Sequence, residues 1–317
     1  MTEGTFRYLT ADTASSLMRN GRVCTRRDLD GSDSETVGVE LDVVAHPIRN
    51  GREGDTPTLE AQGFALVPDA PLRDTPDFMD HEAVVRRYYP DCEARVAEAS
   101  GATHVFAFDH NVRSASGKRD RTRIAGGQEV QAPAHVVHGD YTLTSAPARL
   151  RDLTRPPGRN DTLRAFLPEG AALVDQDLAE QALAPGGRFA LINVWRNIVA
   201  EPVVTDPLAL CDAQTVEPSD LVVFEIHYAD RVGENYFAKS AQRHRWVSFP
   251  ELTRDEGLLI KQWDAAGPLA RSEGARGDAS EAALSTFSFH SAYREPDLPD
   301  DAPDRWSIEV RCVALWS

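Results

Sequence analysis

His138 and Asp140 lie two positions apart in the segment Ala134-His135-Val136-Val137-His138-Gly139-Asp140-Tyr141. On an extended chain, residues two apart face one side, so the imidazole and the carboxylate converge on one point while His135 faces the opposite way. Two of the three ligands of a 2-His-1-carboxylate iron site are presented in this manner. An H-x-D also arises by chance in a chain with nine His, and a solvent-facing pair at a strand end reads the same.

A second constellation lies near the C-terminus. His290 closes Thr286-Phe287-Ser288-Phe289-His290, and fifteen positions later the chain reads Arg305-Trp306-Ser307-Ile308-Glu309-Val310-Arg311. Period 2 puts Arg305, Ser307, Glu309 and Arg311 on one face and Trp306, Ile308, Val310 and Cys312 on the other. A sheet with its charged face in solvent gives this pattern, and so does a polar interior that holds a dicarboxylate. Arg305 offers a planar fork for a carboxylate and Ser307 a further donor, which suits the second case. Asn193, Trp195 and Arg196 are further pocket candidates, with Trp195 equally suited to the core. His110 and Arg113 read first as structural partners, and Arg311 as a partner of Glu309 or another carboxylate.

The elements that must position these residues are mostly short strands. Val37, Val39, Leu41 and Val43 alternate as in a half-buried strand, and a second apolar run spans 64–67. Residues 81–99 carry an apolar stripe at helical spacing, with Pro90 predicting a kink or break. Beyond His104, strand signals cover 104–110, 188–195, 221–228, 244–249, 284–290 and 306–315, with weaker helical stretches at 146–153, 173–183 and 254–263. Many strands and few long helices predict a mainly β fold with flanking helices, a double-sheet jelly roll or barrel rather than a doubly wound α/β sheet. Residues 1–317 read as a single elaborated domain, with 1–75 a strand-and-loop extension and 76–317 a helix plus the β core. The segments 113–131 and 265–281 read as mobile loops, and the first, an Arg/Lys cluster, reads alternatively as a lid over an anionic substrate.

Composition narrows the function. Of 317 residues, 34 are Lys or Arg and 50 Asp or Glu, and a net charge of −16 repels a polyphosphate backbone, so no nucleic-acid partner is expected. No apolar run approaches the ~18 residues of a membrane span, and the N-terminus lacks a basic and apolar leader. A cytoplasmic protein without a membrane partner is expected. Cys24, Cys92, Cys211 and Cys312 have no metal-finger or paired spacing and read as free thiols.

An H-x-D, a distal His and an Arg-x-Ser about fifteen residues later resemble the signature of Fe(II)/2-oxoglutarate-dependent oxygenases of the double-stranded β-helix (jelly roll, cupin-like) fold. More narrowly, Phe108-Asp109-His110-Asn111-Val112-Arg113, Asn193-Val194-Trp195-Arg196, Pro207-Leu208-Ala209-Leu210-Cys211-Asp212, His244-Arg245-Trp246 and the 305–311 run look like one family within it. This is the family of the cephamycin 7α-hydroxylase component, the gibberellin desaturase and the aspergillic-acid-type hydroxylase/desaturases, and the resemblance spans about residues 60–317.

The resemblance implies that His138, Asp140 and His290 hold Fe(II), that Arg305 and Ser307 grip 2-oxoglutarate, and that O2 is consumed with release of succinate and CO2. His227 and His244 compete for the third ligand position, but neither has an Arg-x-Ser downstream. A carboxylate at position 140 argues against halogenation, so hydroxylation or desaturation of a small molecule, of secondary-metabolite type, is the expected reaction. A cupin-like metalloenzyme that uses no 2-oxo acid and a non-catalytic jelly-roll binding protein are the rival readings. Substrate identity and oligomeric state, a homodimer included, stay open at this level.

Overall fold

A computed structural model describes residues 2–316 except 28–32, 69, 71, 73, 74, 160, 230, 281–283, 296, 297, 299 and 300. Fifteen strands in two sheets dominate the described residues. Edge to edge, the first sheet runs β1 (Thr2–Leu9), β4 (Leu41–Asn50), β12 (Trp246–Ser248), β9 (Leu208–Cys211), β14 (His290–Ala292), β7 (His138–Gly139), β11 (Val232–Ala238), β10 (Leu221–His227), β2 (Cys24–Arg27) and β3 (Asp33–Val37). The second runs β5 (Phe64–Val67), β13 (Gly257–Asp264), β8 (Arg188–Asn197), β15 (Ser307–Trp316) and β6 (His104–Arg113). Strands from the first 75 residues thus join both sheets. No described helix is long and apolar enough to cross a membrane.

The alternation in β15 decides how the second sheet is used. Paired residues of antiparallel neighbours share a face. Ser307, Glu309 and Arg311 therefore lie beside Arg113, Asn111 and Asp109 of β6 and Asn197, Trp195 and Asn193 of β8. The opposite face, with Ile308, Val310 and Cys312, packs on Tyr88, Tyr89, Cys92 and Val96 of the adjoining helix. Trp195, Leu258 and Ile260 of the second sheet cluster with Leu208, Leu210 and Val247 of the first, which joins the two sheets through apolar contact. Burying such side chains contributes about 1.5–3 kcal/mol each.

Several expectations are corrected. Residues 254–263 form strand β13, not a helix. Leu258 and Ile260 face the inter-sheet cluster while Leu259 faces the main core, and burial on both faces erases the periodicity that separates strand from helix. Of 284–290 only His290 is in a strand. The run before it is held irregularly, by Ser285 N to the Glu60 carbonyl, Ser288 N to the Lys261 carbonyl and Thr286 to the Asp278 carboxylate.

The valine alternation at 37–43 is broken by Gly38, whose φ is +68° and whose Cβ would meet the Arg22 carbonyl oxygen at 2.1 Å. Val37 and Val43 are exposed at 52% and 68%. β4 instead turns His46 and Ile48 inward, because it pairs with β1 and sets Val44 opposite the buried Phe6. In 81–100, Pro90 causes no break. α1 (His81–Ala83) runs through a π-helical turn, Val84–Tyr88, into α2 (Tyr89–Ser100), and Pro90 sits at the start of α2 where its missing N–H is not needed.

The two charged segments are tied down. In 113–131, α3 (Ala115–Arg119) is capped by Ser114, Asp304 accepts from Ser114 and Ser116, and Lys118 pairs with Glu129 at 2.8 Å. In 265–281, α4 (Pro268–Arg271) is anchored through Asp278 and Thr286, and residue 281 lies outside the described residues. All four cysteines are free, and Cys92, Cys211 and Cys312 are buried.

Candidate active site

The two-residue strand β7 lies between β11 and β14, and its register sets His138 directly opposite His290. A cross-strand pair brings two side chains together over any sequence separation. Here the ring centroids are 4.2 Å apart. The strand ends at Gly139, and Asp140 turns into the same space from the bend that follows. Its Oδ1 lies 3.7 Å from His138 Nε2 and 3.9 Å from His290 Nε2. Gly139 is required between them, because a Cβ there would stand 2.8 Å from the Phe287 ring. His138, Asp140 and His290 each offer a ligand atom, all within 4.8 Å of one another.

Each of the three is held by neighbours. The Val136 carbonyl accepts from His138 Nδ1 at 2.8 Å, which leaves the Nε2 lone pair turned toward Asp140. Asp140 Oδ2 accepts from Asn193 Nδ2 at 2.9 Å and Arg311 Nε at 3.2 Å, so the carboxylate is oriented with Oδ1 toward the imidazoles. Gln262 bridges two of the residues. Its Oε1 accepts from the Asp140 backbone N–H at 3.0 Å, and its Nε2 is 3.4 Å from His290 Nδ1. Arg311 is fixed in turn by Asp109 at 2.8 Å and Glu309 at 3.4 Å, and Thr162 donates to Asp109 at 2.6 Å.

The electrostatics favour ligation. Burial pushes His138 down to about 4, with His290 adding to the effect and Asp140 opposing it, so the ring is neutral at physiological pH. His290 is lowered for the same reason, burial first. Burial alone would raise the Asp140 carboxyl, but Arg311 and the two imidazoles outweigh it and hold the group below the usual carboxylate range. Two neutral imidazoles and one carboxylate form the donor set of a divalent first-row metal site, Fe(II) included.

Arg305 and Ser307 are buried, at 3% and 1% exposure. Arg305 donates Nη1 to the Asp206 carbonyl and receives its backbone hold from Thr205, yet its Nε has no partner, and neither has Ser307 Oγ. Buried donors without acceptors are rare and costly, and a bound carboxylate satisfies both. The residues therefore fit a dicarboxylate as well as a metal.

The other candidates lie elsewhere. His135 pairs with Asp206 at 3.2 Å, His227 with Glu225 at 3.0 Å, and His244 is wedged between Asp220 at 3.1 Å and Tyr8 at 3.2 Å. Arg196 serves the opposite face of β8, where it bonds Tyr88 and the carbonyls of Ala70 and Arg254. His110 is hydrogen-bonded to Tyr89 at 2.8 Å, whereas Trp195 belongs to both regions, packing in the inter-sheet cluster with its ring 5.7 Å from the Arg305 guanidinium. Gln262, Asp109 and Glu309 were not expected at the site. Glu309 shared the face of Arg305 in the alternation, whereas nothing in the sequence marked Gln262.

The family described as YDMC: Oxidoreductase/YMDC permease-like domain matches residues 8–315. An uncharacterized protein in the dcmA 3' region of Methylophilus leisingeri is 44% identical over 191 residues, 60% of this chain and 88% of that protein. The Fe(II)/2-oxoglutarate-dependent dioxygenase nvfI of Aspergillus novofumigatus is 30% identical over 266 residues, 82% of this chain and 79% of that protein. A solved structure of the iron and alpha-ketoglutarate-dependent endoperoxidase NvfI shares the fold with a TM-score of 0.72 at 22% identity, over 99% of this chain and 98% of that one. Fold and cluster together define a mainly β protein with a His-Asp-His group that could hold a metal ion. The chain belongs to the family of Fe(II)/2-oxoglutarate-dependent dioxygenases that includes hydroxylase/desaturases, enzymes whose chemistry uses Fe(II), 2-oxoglutarate and O2.

Proposed function

We propose that His138, Asp140 and His290 hold the iron, that Arg305 and Ser307 hold the distal carboxylate of 2-oxoglutarate, and that the enzyme hydroxylates or desaturates a small molecule of secondary metabolism. One observation carries the reading. Three ligand atoms converge within 4.8 Å, in an interior where two buried donors, Arg305 Nε and Ser307 Oγ, lack acceptors. Bound there, Fe(II) with 2-oxoglutarate and O2 supplies the oxidising power to remove a substrate hydrogen, with release of succinate and CO2. The chain's own contribution is positional. Asn193 and Arg311 fix the Asp140 carboxylate, Val136 fixes the His138 tautomer, and the Gln262 amide oxygen holds the Asp140 backbone N–H.

We read the two sheets as a double-stranded β-helix of the jelly-roll, cupin-like type and residues 1–317 as one elaborated domain. Support comes from the pairing of a ten-stranded with a five-stranded sheet through the Trp195 and Leu210 cluster. A cytoplasmic location agrees with four free thiols. The test is an anaerobic Fe(II) titration followed by 2-oxoglutarate and O2. Stoichiometric iron binding and iron-dependent succinate formation are expected. Metal binding without succinate would favour the cupin-like reading, and no metal binding the reading as a binding protein.

A further inference from the structure

Arg113 has no role in the reading above. It ends β6 directly opposite Ser307, so the two side chains stand next to each other on the face that also carries Glu309 and Arg311. Its Nη1 donates to the Ala132 carbonyl at 2.9 Å, and among the described residues no carboxylate is within ion-pair distance of it. Arg305, on the far side of Ser307, is in the same condition, with its Nη1 on the Asp206 carbonyl and its Nε without a partner. Two guanidinium-bearing residues thus adjoin the one that carries a partnerless hydroxyl, Arg113 across the strand pair and Arg305 two positions earlier in the chain. Arg305 is buried and Arg113 half-buried, and two cations placed together at such depth without a paired carboxylate carry a cost.

From this juxtaposition we infer that Arg113 is a second cationic anchor for the distal carboxylate of the dicarboxylate cosubstrate, on the side of Ser307 opposite Arg305. The inference rests on the functional reading above. Burial weakens the Arg305 proton affinity, Asp206 opposes this, and the charge of Arg113 adds to it, which agrees with the two guanidiniums standing close together. Burial likewise lowers Arg113 itself, with Glu309 opposing. Glu309 offsets part of the charge but is turned to Arg311 for its hydrogen bond.

The test compares two ligands that differ only in the distal carboxylate. 2-Oxoglutarate and 2-oxopentanoate are titrated calorimetrically into the Mn(II)-loaded full chain, wild type and variants Arg113→Gln, Arg113→Lys and Arg305→Gln. Wild type should prefer 2-oxoglutarate. Arg113→Gln should weaken 2-oxoglutarate about tenfold or more, as expected for a truncated partner of a buried charge, and leave 2-oxopentanoate within about twofold. Arg113→Lys, which keeps the charge but not the fork, should recover part of the preference and decides the matter if the glutamine variant does not fold. Equal losses for both ligands, or an unchanged 2-oxoglutarate affinity, would overturn the role of Arg113. If Arg305→Gln alone abolishes the preference, the functional reading stands and this inference falls. A wild type that does not distinguish the two acids removes both.

Discussion

Asn193→Ala isolates the hydrogen bonding that orients Asp140. Arg311 is the poorer probe, because its removal strands Asp140, Asp109 and Glu309 together, and an unpaired buried charge costs about 3–5 kcal/mol. Asn193 contributes one 2.9 Å bond to a charged acceptor, worth about 1.5–3 kcal/mol. At ~1.4 kcal/mol per decade this is about tenfold to a hundredfold in metal affinity, if the whole bond is felt at the metal. The usual loss on removing a partner of a metal ligand, about 10–100-fold, is the same size. Stability should respond differently. Asn193 Oδ1 is buried without a partner, so truncation also relieves a cost of about 1–3 kcal/mol, and the metal-free melting temperature should hardly move. Mn(II) titration followed by the EPR signal of the free ion, alongside metal-free thermal melts, measures both. A Mn(II) affinity within twofold of wild type, or a loss that the melting temperature fully tracks, refutes the positioning argument.

His138→Ala, Asp140→Ala and His290→Ala should each abolish metal binding and succinate formation, whereas His135→Ala and His227→Ala should keep bound metal. Metal analysis of the purified variants checks this, and a metal-replete His290→Ala would reverse the choice of third ligand. Arg305→Ala should raise the 2-oxoglutarate requirement by well over tenfold with metal affinity largely kept, and Ser307→Ala by less, near the ~0.5–1.5 kcal/mol of one hydrogen bond. Steady-state titration of the cosubstrate reads both, and an unchanged requirement in Arg305→Ala counts against the assignment. Burial holds His110 at about 4 against an ordinary 6.5. Between these values the unfolded chain takes up a proton that the folded chain refuses, so this contribution is full above about pH 6.5 and is lost as pH falls toward 4. Urea midpoints at pH 7 and pH 5 should therefore differ less in His110→Gln than in wild type.

The part of the site legible in the sequence is the part encoded by short spacing. His138 and Asp140 announced themselves two positions apart, and the β15 alternation placed Ser307, Glu309 and Arg311 on one face before any partner strand was known. What stayed hidden depends on contacts between remote segments. Gln262 reaches Asp140 across 122 positions, from a strand whose burial on both faces had erased its period. The convergence of His138 and Asp140 was expected from a strand pleat, yet β7 ends at Gly139 and a bend turns Asp140 inward. Val37 and Val43 misled for the opposite reason. Their alternation is real but faces solvent, because β1 offers Phe6 to the other side of β4.

The charge on this face bears on the proposed joint binding of metal and cosubstrate. Arg113, Arg305 and Arg311 stand with Asp109, Asp140 and Glu309 on β6, β15 and the adjoining segments. With all three acids ionised, the six side chains cancel. A divalent cation alone would leave two positive charges in a largely buried region, and a dicarboxylate alone two negative ones. Each imbalance costs several kcal/mol per ion when buried. Taken up together, the two would restore neutrality. Burial and the nearby Asp140 raise the Glu309 carboxyl, with Arg311 and Arg113 opposing. Of the two readings the alternation allowed, the interior one holds for Ser307 and Glu309, which are buried, and the three arginines differ in their partners: Arg311 pairs with carboxylates, whereas Arg113 and Arg305 donate to backbone carbonyls.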